Sequence, residues 1–292
     1  MLNIKMILLI GLSALFFYEQ PVIAKHTTTK DSKIALESGE LIRFKATVGA
    51  VEGGYSYLLL KKIKNKHKDF QVKAMMKART NHFFDKVHRV NNRFESYFSL
   101  FKNTPYKYKM DVDQAGTLQK RKMKFVVAGK NGRIYLSVHS KRGRRQKKYR
   151  HYAWKRQYRV PKNTRDLVSA IYHARTLPFE DGKVFVVHVF VTGKLWKVTG
   201  KMIRKEKLYS ILGGKMTYVI QAMAVCINRP SPKRPLTIWI TADKLRIPLK
   251  IQGSLPYIGN ITAEVSGYRR NAKSRYLDGR RRGRLRYLFG RY

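Results

Sequence analysis

Acid is what this 292-residue chain has least of relative to its base: 17 Asp and Glu stand against 63 Lys and Arg, a formal net charge of +46. A surplus of that size predicts attraction to polyanions, with a steep dependence on salt. A basic bias shared by a whole proteome would give the same balance, and both can hold together. Cysteine is scarcer still. Cys226 stands alone, so there is no internal disulfide, and stability rests on packing and hydrogen bonds. It lies in the apolar run VIQAMAVC and reads as a buried, inert thiol, because nothing local supplies the His or cationic support of a nucleophile. No Cys follows the first apolar run, which excludes lipid attachment at a processed N-terminal cysteine. No later segment reaches the roughly 20 apolar residues that a membrane-crossing helix needs. A glycine loop for cradling phosphates is also missing, since Gly53-Gly54 and Gly213-Gly214 punctuate strands.

At the start, MLNIK is cationic, Met6 to Phe17 is apolar, and Val22 and Ala24 occupy the positions read by a signal peptidase. Residues 1–24 are therefore expected to be a secretory signal peptide, an uncleaved anchor being the other reading. Residues 25–38 are polar and read as a loose arm. Beyond them, 43% hydrophobic and 12% aromatic residues suffice for a substantial core.

From Gly39 the pattern is that of strands. In GELIRFKATVGAVEGG, Ile42, Phe44, Ala46 and Val48 alternate with Leu41, Arg43 and Lys45. A short helical piece is expected near Phe83 to Val90. KFVVAGKNGRIYLSVHS reads as a hairpin turning at Asn131-Gly132. From Lys183 a meander of strands resumes, punctuated at Thr192-Gly193, Gly213-Gly214, Pro230 with Pro232, Ala242-Asp243-Lys244 and Ile258-Gly259-Asn260. Hairpin spacing of this kind predicts a mainly β protein, an antiparallel open or closed barrel-like sheet.

One helix interrupts it. In NTRDLVSAIYHARTLPFEDG, Asn163 or Thr164 can cap a helix with Asp166 in its first turn, and Pro178 ends it. Leu167, Ala170, Ile171 and Ala174 form one apolar stripe, giving a central amphipathic helix of about three turns. Such a helix is expected to lie against the concave face or to seal one end, as a lid. Phe185, Val187, Val189 and Val191 line one face of the next strand, and Trp196, Val198 and Met202 fall on one side of the strand after it. A packed core and a ligand-holding wall both fit these faces.

Two segments carry the charge. Lys141 to Arg159 contains no acid and is basic at more than half its positions; Tyr149, Tyr152, Trp154 and Tyr158 are interleaved with cations. The tail, residues 269–292, repeats the theme with ten Arg or Lys and one Asp. Cations hold phosphates while rings enter a lipid interface or stack on bases. A solvated charged face and a disordered tail explain the same residues. Candidate head-group ligands are Lys141, Arg142, Arg144, Arg145, Lys147, Lys148, Arg150, Trp154, Lys155 and Arg156.

Catalytic patterns are weak. His82, Asp85 and His88 recur every third residue, yet they match no recognised zinc motif, and Lys86 and Arg89 beside them repel a dication. Asp166, Ser169 and His173 are spaced for a triad, but no nucleophile elbow accompanies them. No catalytic residue, metal or cofactor is expected.

GELIRFKATVG, DLVSAIYHARTLPFEDGK, GGKMTYVIQA and IWITADKLRIPLKIQGSLPYIGNITAEVSGY resemble, in order, islands of the DUF3108 domain family of exported bacterial proteins. The resemblance spans residues 39–268 and departs at Thr241 and Ala242, where Ser and a second Asp are expected. It implies a mainly antiparallel β fold similar to the open barrels of periplasmic lipoprotein carriers. It also implies a location in the periplasm or outer envelope of a Gram-negative bacterium, and it brings no active site. The resulting expectation is a non-catalytic envelope protein that binds an anionic amphiphile, a lipid or lipopolysaccharide. The alternatives are an adaptor with a packed core sitting on an envelope polyanion, and a secreted nucleic-acid binder, which has charge and aromatics but no recognised motif behind it.

Overall fold

Apolar and basic residues alternate through most of the chain, and that alternation becomes strands whose two sides meet core and water. The computed structural model describes Leu36 and residues 38–63, 71–99, 104–114, 116–128, 131–143, 149–255 and 259–272. The expected signal peptide, nearly all of the N-terminal arm and most of the basic tail lie outside the described residues.

The first run of strands is β1 (Leu41–Val48), β2 (Val51–Ile63), β3 (Gln71–Thr80), β4 (Asn91–Ser99), β5 (Pro105–Gln114), β6 (Thr117–Ala128), β7 (Asn131–Gly143) and β8 (Tyr149–Pro161). A short helix, α1 (His82–His88), stands between β3 and β4. After β8 comes α2 (Leu167–Ala174). The chain then returns as β9 (Val184–Val191), β10 (Lys194–Ser210), β11 (Gly213–Cys226), β12 (Arg234–Thr241), β13 (Pro248–Leu255) and β14 (Gly259–Arg269).

All fourteen strands form one antiparallel sheet, ordered β8 back to β1, then β14 back to β9. That order is the sequence order taken round a circle, with β1 paired to β14 and a single break between β8 and β9. The result is a nearly closed barrel. The helix stands in the connection between β8 and β9, the one place in the circle where neighbouring strands are not paired, and it packs against β3, β4 and β9. Just before it, Arg165 makes a lone parallel bridge to Val189, its N–H donating to His188 O at 2.8 Å and its carbonyl accepting from Phe190 N at 2.7 Å.

Two expected details change. Asn131 pairs with Ala128 and Gly132 with Val127, so Asn131-Gly132 opens β7 and the connection falls at residues 129–130. The α2 helix is also shorter than three turns. Its cap is Asp166, not Asn163 or Thr164, because Arg165 is still committed to the strand bridge. Thr192-Gly193 turns as expected, both with positive φ (53° and 86°), which suits the twist of a two-residue hairpin.

Inward side chains fill the β1–β8 half: Ile42, Phe44, Leu58 and Leu60, then Met76, Phe94 and Tyr108, all at most 2% exposed. Burying each such side chain is worth about 1.5–3 kcal/mol. Val168 and Tyr172 of α2 join this core, with the Tyr172 ring 6.1 Å from Phe98. Outward positions on β5 and β6 are mostly charged (Lys107, Lys109, Asp111 and Asp113, then Lys120, Lys122 and Lys124), so these strands present no apolar belt to a membrane interior.

One buried ion pair ties the circle together. Arg175, the C-cap of α2, donates to both oxygens of Glu40 at 2.5 and 2.8 Å and to Leu245 O at 2.7 Å. The two side chains are 1% and 0% exposed. Arg175→Met leaves the Glu40 carboxylate out of solvent and without its cation, with the Tyr268 hydroxyl still 3.4 Å away, and is expected to cost about 3–5 kcal/mol, whereas Glu40→Leu/Arg175→Met recovers most of that. Urea unfolding midpoints of the two variants check this. A single-substitution cost below about 1 kcal/mol, the range of surface pairs, would contradict it.

Candidate functional site

The orientation of α2 is set at its first residue. The Asp166 carboxylate caps the helix, accepting from Val168 N and Ser169 N at 2.9 Å each, while Ser169 Oγ accepts from Asp166 N at 3.1 Å. A cap of this kind is worth about 1 kcal/mol. Here it is also an anchor, because Ser96 Oγ on β4 donates to the same carboxylate at 2.6 Å. Burial pushes the Asp166 pKa up, against the pull of these hydrogen bonds. With its start tied to β4 and its end to Glu40, the helix turns Val168 and Tyr172 into the core. The stripe Leu167, Ala170, Ile171 and Ala174 faces the other way.

That stripe is one wall of a cleft. The facing wall is the inner side of β9 to β12: Phe185, Val187, Val189 and Val191, then Trp196 and Val198. Ile220 and Ala222 of β11 and Leu236, Ile238 and Ile240 of β12 complete it, with Phe179 at one end. All sixteen lining residues are apolar, and the space between them is about 140 Å³. Ala170, Ile171, Ala174, Phe185, Val198, Leu236 and Ile238 are only half-buried. Walls that met across a packed core would bury them fully. Gly200 shapes the floor: a Cβ there would stand 2.3 Å from Phe185 Cζ, so only glycine lets that ring lie flat across β10.

A cation outside the sixteen lining residues stacks on Phe179. The Arg246 guanidinium lies 5.0 Å from the Phe179 ring centre and 4.6 Å from that of Tyr218. Its Nη1 is buried and has no hydrogen-bond partner among the described residues. Burial lowers its pKa, which Tyr218 and Asp243 partly counter. Arg246 has φ 47°, in the left-handed region, held there by Asp243, whose side chain accepts from Leu245 N and Arg246 N at 3.0 and 3.3 Å. Thr241 supplies the hydroxyl for the same turn, donating to Asp243 at 2.7 Å, so the departure from the expected Ser keeps the chemistry.

The structure brings the four lid residues and the expected faces of β9 and β10 into this one cleft, except Met202, which packs just beyond it with Phe179, Ile220 and Ile240. It does not bring the basic run there. Arg144, Arg145, Lys147 and Lys148 lie outside the described residues. Lys141 and Arg142 lie just before the end of β7 at Gly143, and Arg150 is the second residue of β8. Trp154, Lys155 and Arg156 are exposed on β8, with the Arg156 guanidinium 5.6 Å from the Trp154 ring. Arg246 was missed because a lone Arg in a turn carries no pattern.

The weaker catalytic patterns find other partners. Ser169 Oγ donates to Asp166, and His173 Nδ1 sits 3.2 Å from Thr176 Oγ1, not against Ser169. Asp85 accepts from Thr80, and His88 Nε2 lies 3.0 Å from Gln114 Nε2. No metal-binding cluster of three such side chains occurs among the described residues.

Fold and cleft together define a class: a single-sheet, nearly closed β-barrel with a helix laid over an apolar inner face. Within that class the chain belongs to the DUF3108 family, proteins of unknown function, whose model matches residues 43–266. A β-barrel-like protein of the domain of unknown function DUF1849 from Brucella abortus is similar in fold, with a TM-score of 0.51 at 6% identity. The match covers 78% of this chain and 96% of that one. A protein with a YmcC-like fold from Bacteroides fragilis matches at 8% identity over 88% of this chain and 100% of its own, with a TM-score of 0.35, too low to carry an argument. A search of curated proteins finds no match.

The α2 helix also carries a titration. Burial, then the charge of Arg165, pulls the His173 pKa down to about 3. His88 and His188 are lowered too, chiefly by burial. The unfolded chain takes these protons near pH 6.5, and folded His173 does not until about pH 3. Between those values the unfolded state holds more protons, so stability falls as pH drops below 6.5, each histidine adding at most about 1.4 kcal/mol per pH unit. His173→Gln is expected to flatten the fall between pH 7 and 5 in urea unfolding; an unchanged slope would mean that His173 is protonated in the folded protein.

Proposed function

We propose that the chain is an exported, non-catalytic binding protein that holds an anionic amphiphile, with the apolar part beneath α2 and the acid group at Arg246. The observation that carries this is the cleft: about 140 Å³ lined by sixteen apolar residues, many of them half-buried on both walls. Apolar cavities of this size stay dry and take up apolar guests. At about 30 Å³ per small group, the volume admits an alkyl tip of a few carbons with α2 in place, and a longer chain extends beneath a displaced helix. Arg246 suits the other end of such a ligand. A buried guanidinium nitrogen without a partner is costly, and a carboxylate or phosphate oxygen relieves that cost with a charge-assisted bond.

Export is supported by the cationic start, apolar run and small-residue ending of residues 1–24. The absence of catalysis is supported by the engagement of Asp166 and Ser169 in the helix cap.

The test is purification of the mature chain, native mass spectrometry and titration with a fluorescent fatty acid. Ala170→Phe/Ala174→Phe fills the cleft and is expected to lower probe affinity at least tenfold without lowering the melting temperature, since rings replace empty space. Arg246→Gln is expected to weaken binding of the acid by roughly 10–100-fold, as for a lost charge-assisted bond, and to leave the methyl ester of the same chain unchanged. A protein that is empty, and that takes up no probe in either form, would favour the adaptor reading instead.

A further inference from the structure

Lysines face one another across the outside of the barrel, far round the sheet from the cleft. Register pairs Lys107 with Lys124 and Lys109 with Lys122 on β5 and β6. They point outward, because the residues between them, Tyr108 and Met123, are at most 2% exposed in the core. Strand geometry sets the four Cβ positions at about 5 Å across strands and about 7 Å along them. None of the four makes an ion pair among the described residues. Two of them find relief on β4: the Tyr97 ring centre lies 5.4 Å from the Lys107 ammonium and 5.9 Å from that of Lys109, and Glu95 stands opposite Lys109 in register. A shallow groove of about 640 Å³ crosses this face towards Lys155 on β8, with Tyr135, 41% exposed, on its floor.

Like charges directly opposite on a sheet destabilise it, and the neighbouring acids have other partners: Glu95 pairs with Lys73 and Arg93, and Asp111 stands opposite Arg93 and Lys120, so the quartet keeps its surplus. We propose that this face docks the protein onto an anionic phospholipid bilayer, the lysine quartet resting among head-group phosphates and Tyr135 reaching the interface. The quartet contains no arginine. It therefore offers compact point charges rather than guanidinium forks, which suits fluid head groups that rearrange around fixed cations. A tyrosine with an apolar body and polar tip suits the same boundary. The face uses none of the cleft residues, so docking stands or falls independently of the ligand reading, and Ala170→Phe/Ala174→Phe should dock like the wild type.

The experiment is co-sedimentation of the full mature chain with vesicles of phosphatidylglycerol mixed into phosphatidylcholine, against phosphatidylcholine alone, at about 0.15 M salt, where the Debye length is about 8 Å. Lys107→Gln/Lys122→Gln/Lys124→Gln is expected to lower the partition coefficient about 100-fold, at about fivefold for each lysine near the surface. Its melting temperature should hold or rise, since repulsion is removed. Lys197→Gln/Lys201→Gln/Lys207→Gln on β10 removes the same charge from exposed positions elsewhere and should keep wild-type partition. Equal losses in the two triple variants would overturn the proposal in favour of net charge alone. Absent vesicle binding by the wild type, or an effect of the first triple confined to duplex DNA, would also overturn it.

Discussion

Three parts of the chain that are distant in sequence depend on one buried contact. Glu40 stands just before β1, Arg175 ends α2, and Leu245 lies in the turn between β12 and β13; the Arg175 guanidinium holds the other two within hydrogen-bond reach. An ion pair so buried adds little net stability over a hydrophobic replacement of the same shape. What it supplies here is position. It fixes the end of a two-turn helix that would be marginal alone, and it holds the turn whose Arg246 stacks on Phe179. The walls of the cleft come from strand alternation, but the distance between them comes from this contact and from the Asp166–Ser96 bond at the other end of the helix.

The helix works because its two faces do different things. Val168, Tyr172 and Arg175 commit it to the barrel interior, so it cannot drift off the sheet. Leu167, Ala170, Ile171 and Ala174 then remain against β9 to β12, where small residues at Ala170 and Ala174 leave space. A helix with large residues at those positions would close the gap into ordinary core. The barrel is therefore asymmetric: the space left between α2 and β9–β12 is about 140 Å³, against about 70 Å³ among β1 to β4 and β14, where Val168 and Tyr172 of α2 help to fill the neighbouring core.

Much of the architecture was legible in the sequence. Period-two alternation marked the strands, because that signal arises from burial of one face. The stripe of α2 does share one side of the helix, but only Leu167 of its four residues is buried, and the buried side is completed by Val168, Ser169 and Tyr172. The cap and helix length were less legible, since Arg165 looks helical until its bridge to Val189 is known. The turn at Asn131-Gly132 was read from a strong local motif, yet cross-strand packing of Phe125 and Ile134 sets the register there. Arg246 and the lysine quartet had no local signature at all. One depends on a turn held by Asp243 and Thr241, the other on which strands become neighbours. The abundant charge between Lys141 and Arg159 drew attention away from lysines spread thinly over β5 and β6.

The circular strand order has a consequence for how the chain reaches its fold. Every neighbouring pair in the sheet is consecutive in sequence except β1 with β14. Twelve of the thirteen pairings can therefore form as local hairpins, and only one requires the two ends of the domain to meet. Closing so long a loop carries the largest entropic penalty, and sequence separation governs folding rate. The chain is built as two ribbons, β1–β8 and β9–β14, tethered by α2, and their joining at β1/β14 is the pairing that loop-closure entropy is expected to make slowest. Glu40 adjoins that junction, so Arg175 meets its partner in the same step: the ribbons join, the helix docks and the cleft takes shape together.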